Sequence, residues 1–260
     1  FSLGSATMDC IDSLRGKTAI VTGASAGIGR ETVRTLARGG SNVVLTARRK
    51  DRLQMLASEI ESEHDISALS VSADITDEDE VKRVVKRGVD TFGSIDIVVN
   101  NAGTATERNV DIQDLETEQY RTVMNVNTDG MFFTARETLP YLIESSGTLV
   151  FVGSYAGQYP RPGSPVYAAT KWWTRGFALS LAGQVGSEDV AVTVVNPSEV
   201  STSFGSEFRD EDEVPKNLYD SDGITDPKDV AAAIAFAVRQ RQPNAVAELD
   251  LYRRDKFSQF

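Results

Sequence analysis

Seven short stretches of the chain are dominated by apolar residues: Thr18–Thr22, Asn42–Thr46, Ser67–Ser72, Ile95–Val99, Thr148–Val152, Val190–Val195 and Val246–Leu251. Most are rich in Val and Ile and run on without a regular polar alternation. That pattern predicts strands buried on both faces. Between them, apolar positions recur at helical spacing. They predict helices over Ile28–Arg38, Arg52–Glu63, Asp77–Thr91, one long helix from about Glu116 to Ile143, then Val166–Gln184 and Pro227–Arg239. Thr76 followed by Asp77–Asp79, and Asp226-Pro227, read as helix starts. Strand–helix alternation over the whole length predicts an α/β protein, with a doubly wound, seven-stranded parallel sheet and helices on both faces.

No linker breaks the rhythm, so residues 8–260 are expected to form a single domain. The exception is 201–223, which carries Glu207, Asp210, Glu211, Asp212 and Glu213 without periodicity. A long irregular insert in such a fold reads as a substrate loop or lid, or else as a solvated acidic loop. Residues 1–7 (FSLGSAT) read as a remnant of recombinant expression, with the natural start at Met8.

Composition narrows the function classes. The 260 residues carry 38 Asp+Glu against 27 Lys+Arg, for a net charge of -11, which argues against nucleic acid as the main partner. No apolar run approaches the ~18 residues of a membrane span. Cys10 is the only cysteine, so no intrachain disulfide is possible, and a reducing compartment, the cytoplasm, is the simplest home. His64 is the only histidine, which excludes histidine-based triads and multi-His metal sites; no metal is expected. His64 is placed near the end of a surface helix. The cations are 19 Arg and 8 Lys, and this low Lys content beneath an acidic excess suits either a salt-adapted protein or an ordinary acidic enzyme.

The first strand runs into Thr22-Gly23-Ala24-Ser25-Ala26-Gly27-Ile28-Gly29 and then a helix. Gly23 permits a tight turn, while Gly27 and Gly29 remove side chains where a pyrophosphate must approach the backbone. Free N–H groups and the helix dipole then face the phosphates. In its place between strand and helix, this turn predicts dinucleotide binding by Gly23, Ser25, Ala26, Gly27, Ile28 and Gly29, and a three-layer Rossmann fold. The second strand ends in Arg48-Arg49-Lys50, where an NAD site would present a carboxylate to the ribose 2′-hydroxyl. Arg48 and Arg49 suit a 2′-phosphate, so NADP(H) is expected over NAD(H). After the third strand, Asp74, beside Ile75, is either an adenine contact or a helix cap. Asn100-Asn101-Ala102-Gly103 lets backbone lie along the nucleotide, with the Asn side chains tying neighbouring strands.

Ser154 follows the fifth strand directly. Tyr167 and Lys171 lie further on in Tyr167-Ala168-Ala169-Thr170-Lys171. The i,i+4 spacing puts phenol and ammonium on one helix face, roughly 5–6 Å apart at Cβ. A nearby cation is expected to lower the tyrosine pKa from its ordinary ~10 and make Tyr167 a proton donor or acceptor.

Taken together, Thr22–Gly29, Asp74, Asn100–Gly103, Asn127, Ser154, Tyr167, Lys171 and Pro197–Thr202, in this order and spacing, resemble the short-chain dehydrogenase/reductase family over essentially Leu14–Leu251. The resemblance implies that Tyr167 is the general acid/base and that Ser154 holds the carbonyl oxygen. Lys171 would bind the nicotinamide ribose and depress the Tyr167 pKa. Asn127 would support a water linked to Lys171. Pro197, Val200 and Thr202 would embrace the cofactor. It further implies transfer of the pro-S hydride to a small-molecule ketone or aldehyde, or the reverse alcohol oxidation, and a homotetramer or homodimer. A non-catalytic NADP-binding sensor or scaffold is the alternative, though the intact set of four speaks against it. The C-terminal stretch resembles, more weakly, a branch acting on small carbonyls and hydroxy acids. One departure is Pro197-Ser198, where the family has Pro-Gly; serine restricts the backbone there.

Trp172 and Trp173 are expected to divide, one packing on the sheet and one facing a partner subunit. Tyr155, Gln158, Tyr159 and Pro160, with Phe204, Phe208 and Tyr219 on the acidic loop, are candidates to wall the substrate pocket. Arg161 is either a carboxylate contact or a surface salt bridge, and the acidic loop argues mildly against a strongly anionic substrate.

Overall fold

The computed structural model describes residues 14–200 and 224–254. The segment 201–223, with Thr202, Phe204, Phe208 and Tyr219, lies outside the described residues, as do residues 1–13 with Cys10.

The seven strands are β1 Thr18–Thr22, β2 Asn42–Ala47, β3 Ala68–Ser72, β4 Ile97–Asn100, β5 Thr148–Val152, β6 Ala191–Pro197 and β7 Glu248–Leu251. All pair in parallel, in the order β3-β2-β1-β4-β5-β6-β7. The helices are α1 Gly27–Arg38, α2 Lys50–Glu63, α3 Glu78–Phe92, α4 Thr117–Met124, α5 Gly130–Ser145, α6 Pro165–Val185 and α7 Pro227–Val238. The expected Rossmann architecture is present.

Each central strand feeds two separate cores, which is why its sequence does not alternate. Ala19, Val21, Val43, Leu45, Val150 and Val152 pack with Leu36 of α1, Leu53 and Ile60 of α2, and Ile234 of α7. Their chain neighbours Ile20, Val44, Leu149 and Phe151 point the other way, to Val84 of α3, Met131 and Leu142 of α5, and Leu181 of α6. Among the described residues, no helix is long and apolar enough to cross a membrane.

Two expectations need correction. The long helix from Glu116 to Ile143 is interrupted: α4 and α5 are joined by a π-helical turn, Asn125–Asp129. Helical periodicity in the sequence does not register an inserted residue that keeps the chain helical. The cap of α3 is Asp77, whose side chain accepts from the Asp79 and Glu80 N–H groups, rather than Thr76. Asp226 caps α7 by accepting from the Lys228 N–H, with Pro227 in the first turn. Trp173 stacks on Phe177 at 4.8 Å within the second core, and Trp172 is 47% exposed. His64 is the residue at the end of α2.

Candidate active site

The sheet order reverses direction between β1 and β4, and the two strand ends there are bound together. The Asn101 Nδ2 donates to the Thr22 carbonyl at 2.8 Å, and the Asn101 and Ala102 N–H groups both donate to Thr22 Oγ1 at 3.0 Å. Asn100 reaches the opposite way, to the Met131 carbonyl. Above this junction opens a cleft of about 990 Å³. Such a reversal is where open α/β sheets bind ligands, and the volume is at the upper end for small-molecule sites.

One end of the cleft is the glycine turn. Gly23 and Gly27 hold φ of +66° and +52°, the left-handed region that glycine occupies without strain. A Cβ on Gly29 would stand 2.4 Å from the Gly23 carbonyl oxygen, so this glycine lets α1 seat against the turn and does not itself line the cleft. Ala26 precedes α1 and has no side chain able to cap it. The first N–H groups of the helix are therefore left to donate to an anion. Gly23, Ser25, Ala26, Gly27 and Ile28 line the cleft, as do Arg48, Arg49, Asp74, Ile75, Asn101, Ala102 and Gly103. The backbone cradle, the uncapped helix and the two arginines together fit a dinucleotide with its phosphates at this end.

Arg49 donates from Nε and Nη2 to Ser25 Oγ, at 3.1 and 2.9 Å, joining the end of β2 to the glycine turn. Burial, then the neighbouring Arg52 and Arg48, pull the Arg49 pKa down. Such crowded positive charge is relieved by an anion. Asp74 is no helix cap: its Oδ1 accepts from the N–H and hydroxyl of Thr76, both at 2.9 Å.

At the other end stand Ser154, Tyr167 and Lys171. Ser154 leaves β5 and caps a single 3-10 turn, accepting from the Ala156 N–H at 3.1 Å. Tyr167 lies in the first turns of α6 and lines the cleft together with Ser154. Lys171 follows on the same face, 3% exposed, and donates from Nζ to the Val152 carbonyl at 2.9 Å. Its ammonium lies 5.8 Å from the centre of the Tyr167 ring.

The electrostatics correct the sequence expectation. Desolvation pushes the Tyr167 pKa up; the Ser154 hydroxyl, then Arg108 and Arg161, pull against it without winning. Lys171 is aimed at Val152, and burial pushes its own pKa down to about 8. Desolvation thus outweighs the cation–phenol attraction that i,i+4 spacing suggests.

Asn127 sits in the π-helical turn, behind the cleft wall. Its Nδ2 donates to the Thr104 carbonyl at 2.8 Å and to Thr170 Oγ1 at 3.0 Å, while Oδ1 accepts from the Thr104 N–H at 2.8 Å. The side chain therefore fixes the loop after β4 against the residue preceding Lys171. Pro197 and Val200 line the cleft. Ser198 accommodates its place without left-handed backbone; its N–H donates to the Leu251 carbonyl and its hydroxyl accepts from the Arg253 N–H.

The substrate-wall candidates divide. Tyr155, Pro160 and Arg161 line the cleft. Gln158 and Tyr159 do not: Gln158 donates to Asp250 and accepts from the Tyr252 hydroxyl, and Tyr159 stacks on Tyr155 at 4.6 Å. Arg108, Asn109 and Arg253 line it without having been singled out in the sequence, because isolated arginines on loops carry no local signature.

A glycine turn at a sheet reversal, joined by one cleft to a Ser–Tyr–Lys cluster, defines a dinucleotide-binding oxidoreductase fold. Comparison with known proteins narrows this. The profile of the short chain dehydrogenase family matches residues 17–213, and the chain belongs to that family. An uncharacterized oxidoreductase of Staphylococcus aureus is 32% identical over 237 residues, 91% of this chain and 96% of its own. The alcohol dehydrogenase of the archaeon Thermococcus sibiricus, complexed with 5-hydroxy-NADP, superposes with a TM-score of 0.81 at 29% identity, covering 91% of this chain and 96% of its own. The 3-ketoacyl-(acyl-carrier-protein) reductase of Brucella melitensis, complexed with NADH, gives 0.80 at 30%, covering 91% and 97%.

Proposed function

We propose that this protein is an NADP(H)-dependent oxidoreductase that interconverts a ketone or aldehyde with the corresponding alcohol. The observation that carries the reading is the grouping of Ser154, Tyr167 and the buried Lys171 at the far end of a cleft that begins at the glycine turn. Bound along that cleft, the reduced nicotinamide supplies the hydride. Ser154 holds the carbonyl oxygen, and the Tyr167 hydroxyl releases its proton to that oxygen as the alcohol forms. Lys171 holds the ribose hydroxyls and faces the phenolate that remains. Asn127 acts through position, keeping the Thr104 loop and Thr170 in place around Lys171.

The cofactor preference rests on Arg48 and Arg49, both on the cleft wall where β2 ends. Two guanidinium groups favour a 2′-phosphate and offer nothing to accept from a 2′-hydroxyl. Trp172 and Phe132, 47% and 38% exposed on α6 and α5, supply apolar surface for a homodimer or homotetramer; light scattering measures that directly.

The deciding experiment incubates the purified chain with NADPH or NADH and a panel of ketones and aldehydes. Consumption of NADPH with a kcat/KM above that of NADH is the expected result. No consumption of either cofactor overturns the reading, and a preference for NADH overturns its cofactor half.

A further inference from the structure

Among the described residues, the cleft is lined by six cations, Arg48, Arg49, Arg108, Arg161, Lys171 and Arg253, against two carboxylates, Asp74 and Glu199. This inverts the charge of a chain that carries -11 overall. Arg48 and Arg49 lie at the end of β2, beside the glycine turn, where the phosphates of the proposed cofactor have their cradle. Arg108 and Arg161 belong to the other end, where a nicotinamide carries no negative charge for them to meet.

These two arginines are far apart in sequence but are brought to one rim by a loop-to-loop contact. The Asn109 N–H, one residue after Arg108, donates to the Gly163 carbonyl at 2.9 Å, two residues after Arg161. The loops are pressed together: a Cβ on Gly163 would stand 2.5 Å from Asn109 Oδ1. Both arginines act electrostatically on the Tyr167 phenol and line the same cleft as its hydroxyl. Arg161 is held over the Tyr155 ring at 5.6 Å. Its nearest described carboxylate oxygen, on Glu199, is 3.8 Å away, at the outer limit of an ion pair. Among the described residues, two guanidiniums meet one glutamate at this end; the acidic segment 201–223 lies outside the described residues.

Building on the oxidoreductase reading, we infer that the substrate is an anionic carbonyl compound, with a carboxylate or phosphate held between Arg108 and Arg161 while its carbonyl meets Ser154 and Tyr167. A guanidinium recognises either anion with paired N–H donors. Its long-range attraction also draws such a substrate into a cleft on an otherwise acidic surface.

The test compares kcat/KM, with NADPH, for short oxo acids against their methyl esters, and for carbonyl phosphates against the unphosphorylated carbonyls. The expected result is a preference of at least tenfold for one anionic series; the series preferred identifies carboxylate or phosphate. Arg108→Met and Arg161→Met should each lower that anionic-to-neutral ratio by about tenfold or more. Neutral compounds reduced as well as their anionic partners, or a ratio indifferent to both substitutions, overturns the substrate class and leaves the oxidoreductase reading standing. If neither neutral nor anionic carbonyls consume cofactor, the oxidoreductase reading fails and the substrate class falls with it.

Discussion

The ammonium of Lys171 is tied to the carbonyl of Val152, the last residue of β5 and two residues ahead of Ser154. The bond fastens the Tyr–Lys helix to the strand that delivers the serine. It also keeps a charge buried at 3% exposure with a single neutral partner, and burial brings the lysine pKa to about 8.

That depression has a consequence for stability. Unfolded lysine titrates near ~10.4. Below pH 8 the native state carries the full cost of burying the ammonium, about 3 kcal/mol at 1.36 kcal/mol per pKa unit. Between about pH 8 and 10.4 the unfolded chain binds more protons than the native one, so this contribution makes stability rise with pH. Lys171→Met removes the cost. The difference in urea-unfolding free energy between wild type and Lys171→Met should shift in favour of the wild type by about 2 kcal/mol from pH 7 to pH 10. A constant difference contradicts a buried, titrating Lys171.

Desolvation pushes the Tyr167 pKa up, and among the described residues Ser154 is the largest influence pulling it down. Ser154→Ala removes that downward influence. Alcohol oxidation, which needs the phenolate, should then rise at higher pH than in the wild type. Tyr167→Phe should lower turnover by about 10²–10⁴, the usual worth of a positioned acid or base, while NADPH affinity changes by less than about threefold. Fluorescence titration of NADPH separates the two effects.

At the cofactor end, Arg49 both lines the cleft and clamps Ser25. Arg49→Ala should raise the KM for NADPH by about tenfold and affect NADH less, since a charge-assisted bond contributes roughly 1.5–3 kcal/mol before solvent screening. Arg48→Asp should move the NADPH-to-NADH ratio of kcat/KM toward NADH. Equal losses with both cofactors would argue that the arginines only shape the turn.

Why the strands were legible and parts of the site were not follows from the kind of information each needs. Ile20 and Val21 face opposite cores, so burial on both faces is written as an unbroken apolar run. Gly23 and Gly27 are legible because a backbone at positive φ selects glycine. The Tyr167–Lys171 spacing places two side chains on a face, but the direction of their pKa shifts depends on what surrounds that face. The spacing gives no warning that Lys171 points to Val152. The π-helical turn keeps helical periodicity while re-aiming Asn127, and the Arg108–Arg161 rim depends on the Asn109–Gly163 contact between distant loops.

Asn127 offers the sharpest test of a residue that works through position. Its carboxamide satisfies both the N–H and the carbonyl of Thr104, a residue 4% exposed, and also reaches Thr170. Asn127→Leu keeps the approximate volume but strands the Thr104 N–H and carbonyl away from water, each at a cost of about 1–3 kcal/mol. The variant should be less stable by about 2–4 kcal/mol. Because the Thr104 loop and Thr170 flank Lys171, its KM for NADPH should also rise at temperatures where it remains folded. Asn127→Asp keeps the acceptor for the Thr104 N–H and loses both donors, so it should be intermediate in stability near neutral pH and recover part of the loss as its carboxylate is protonated. Urea melts and NADPH titrations of the three proteins at pH 5 and pH 8 measure this; identical behaviour of Asn127→Leu and wild type in both would remove Asn127 from the architecture of the site.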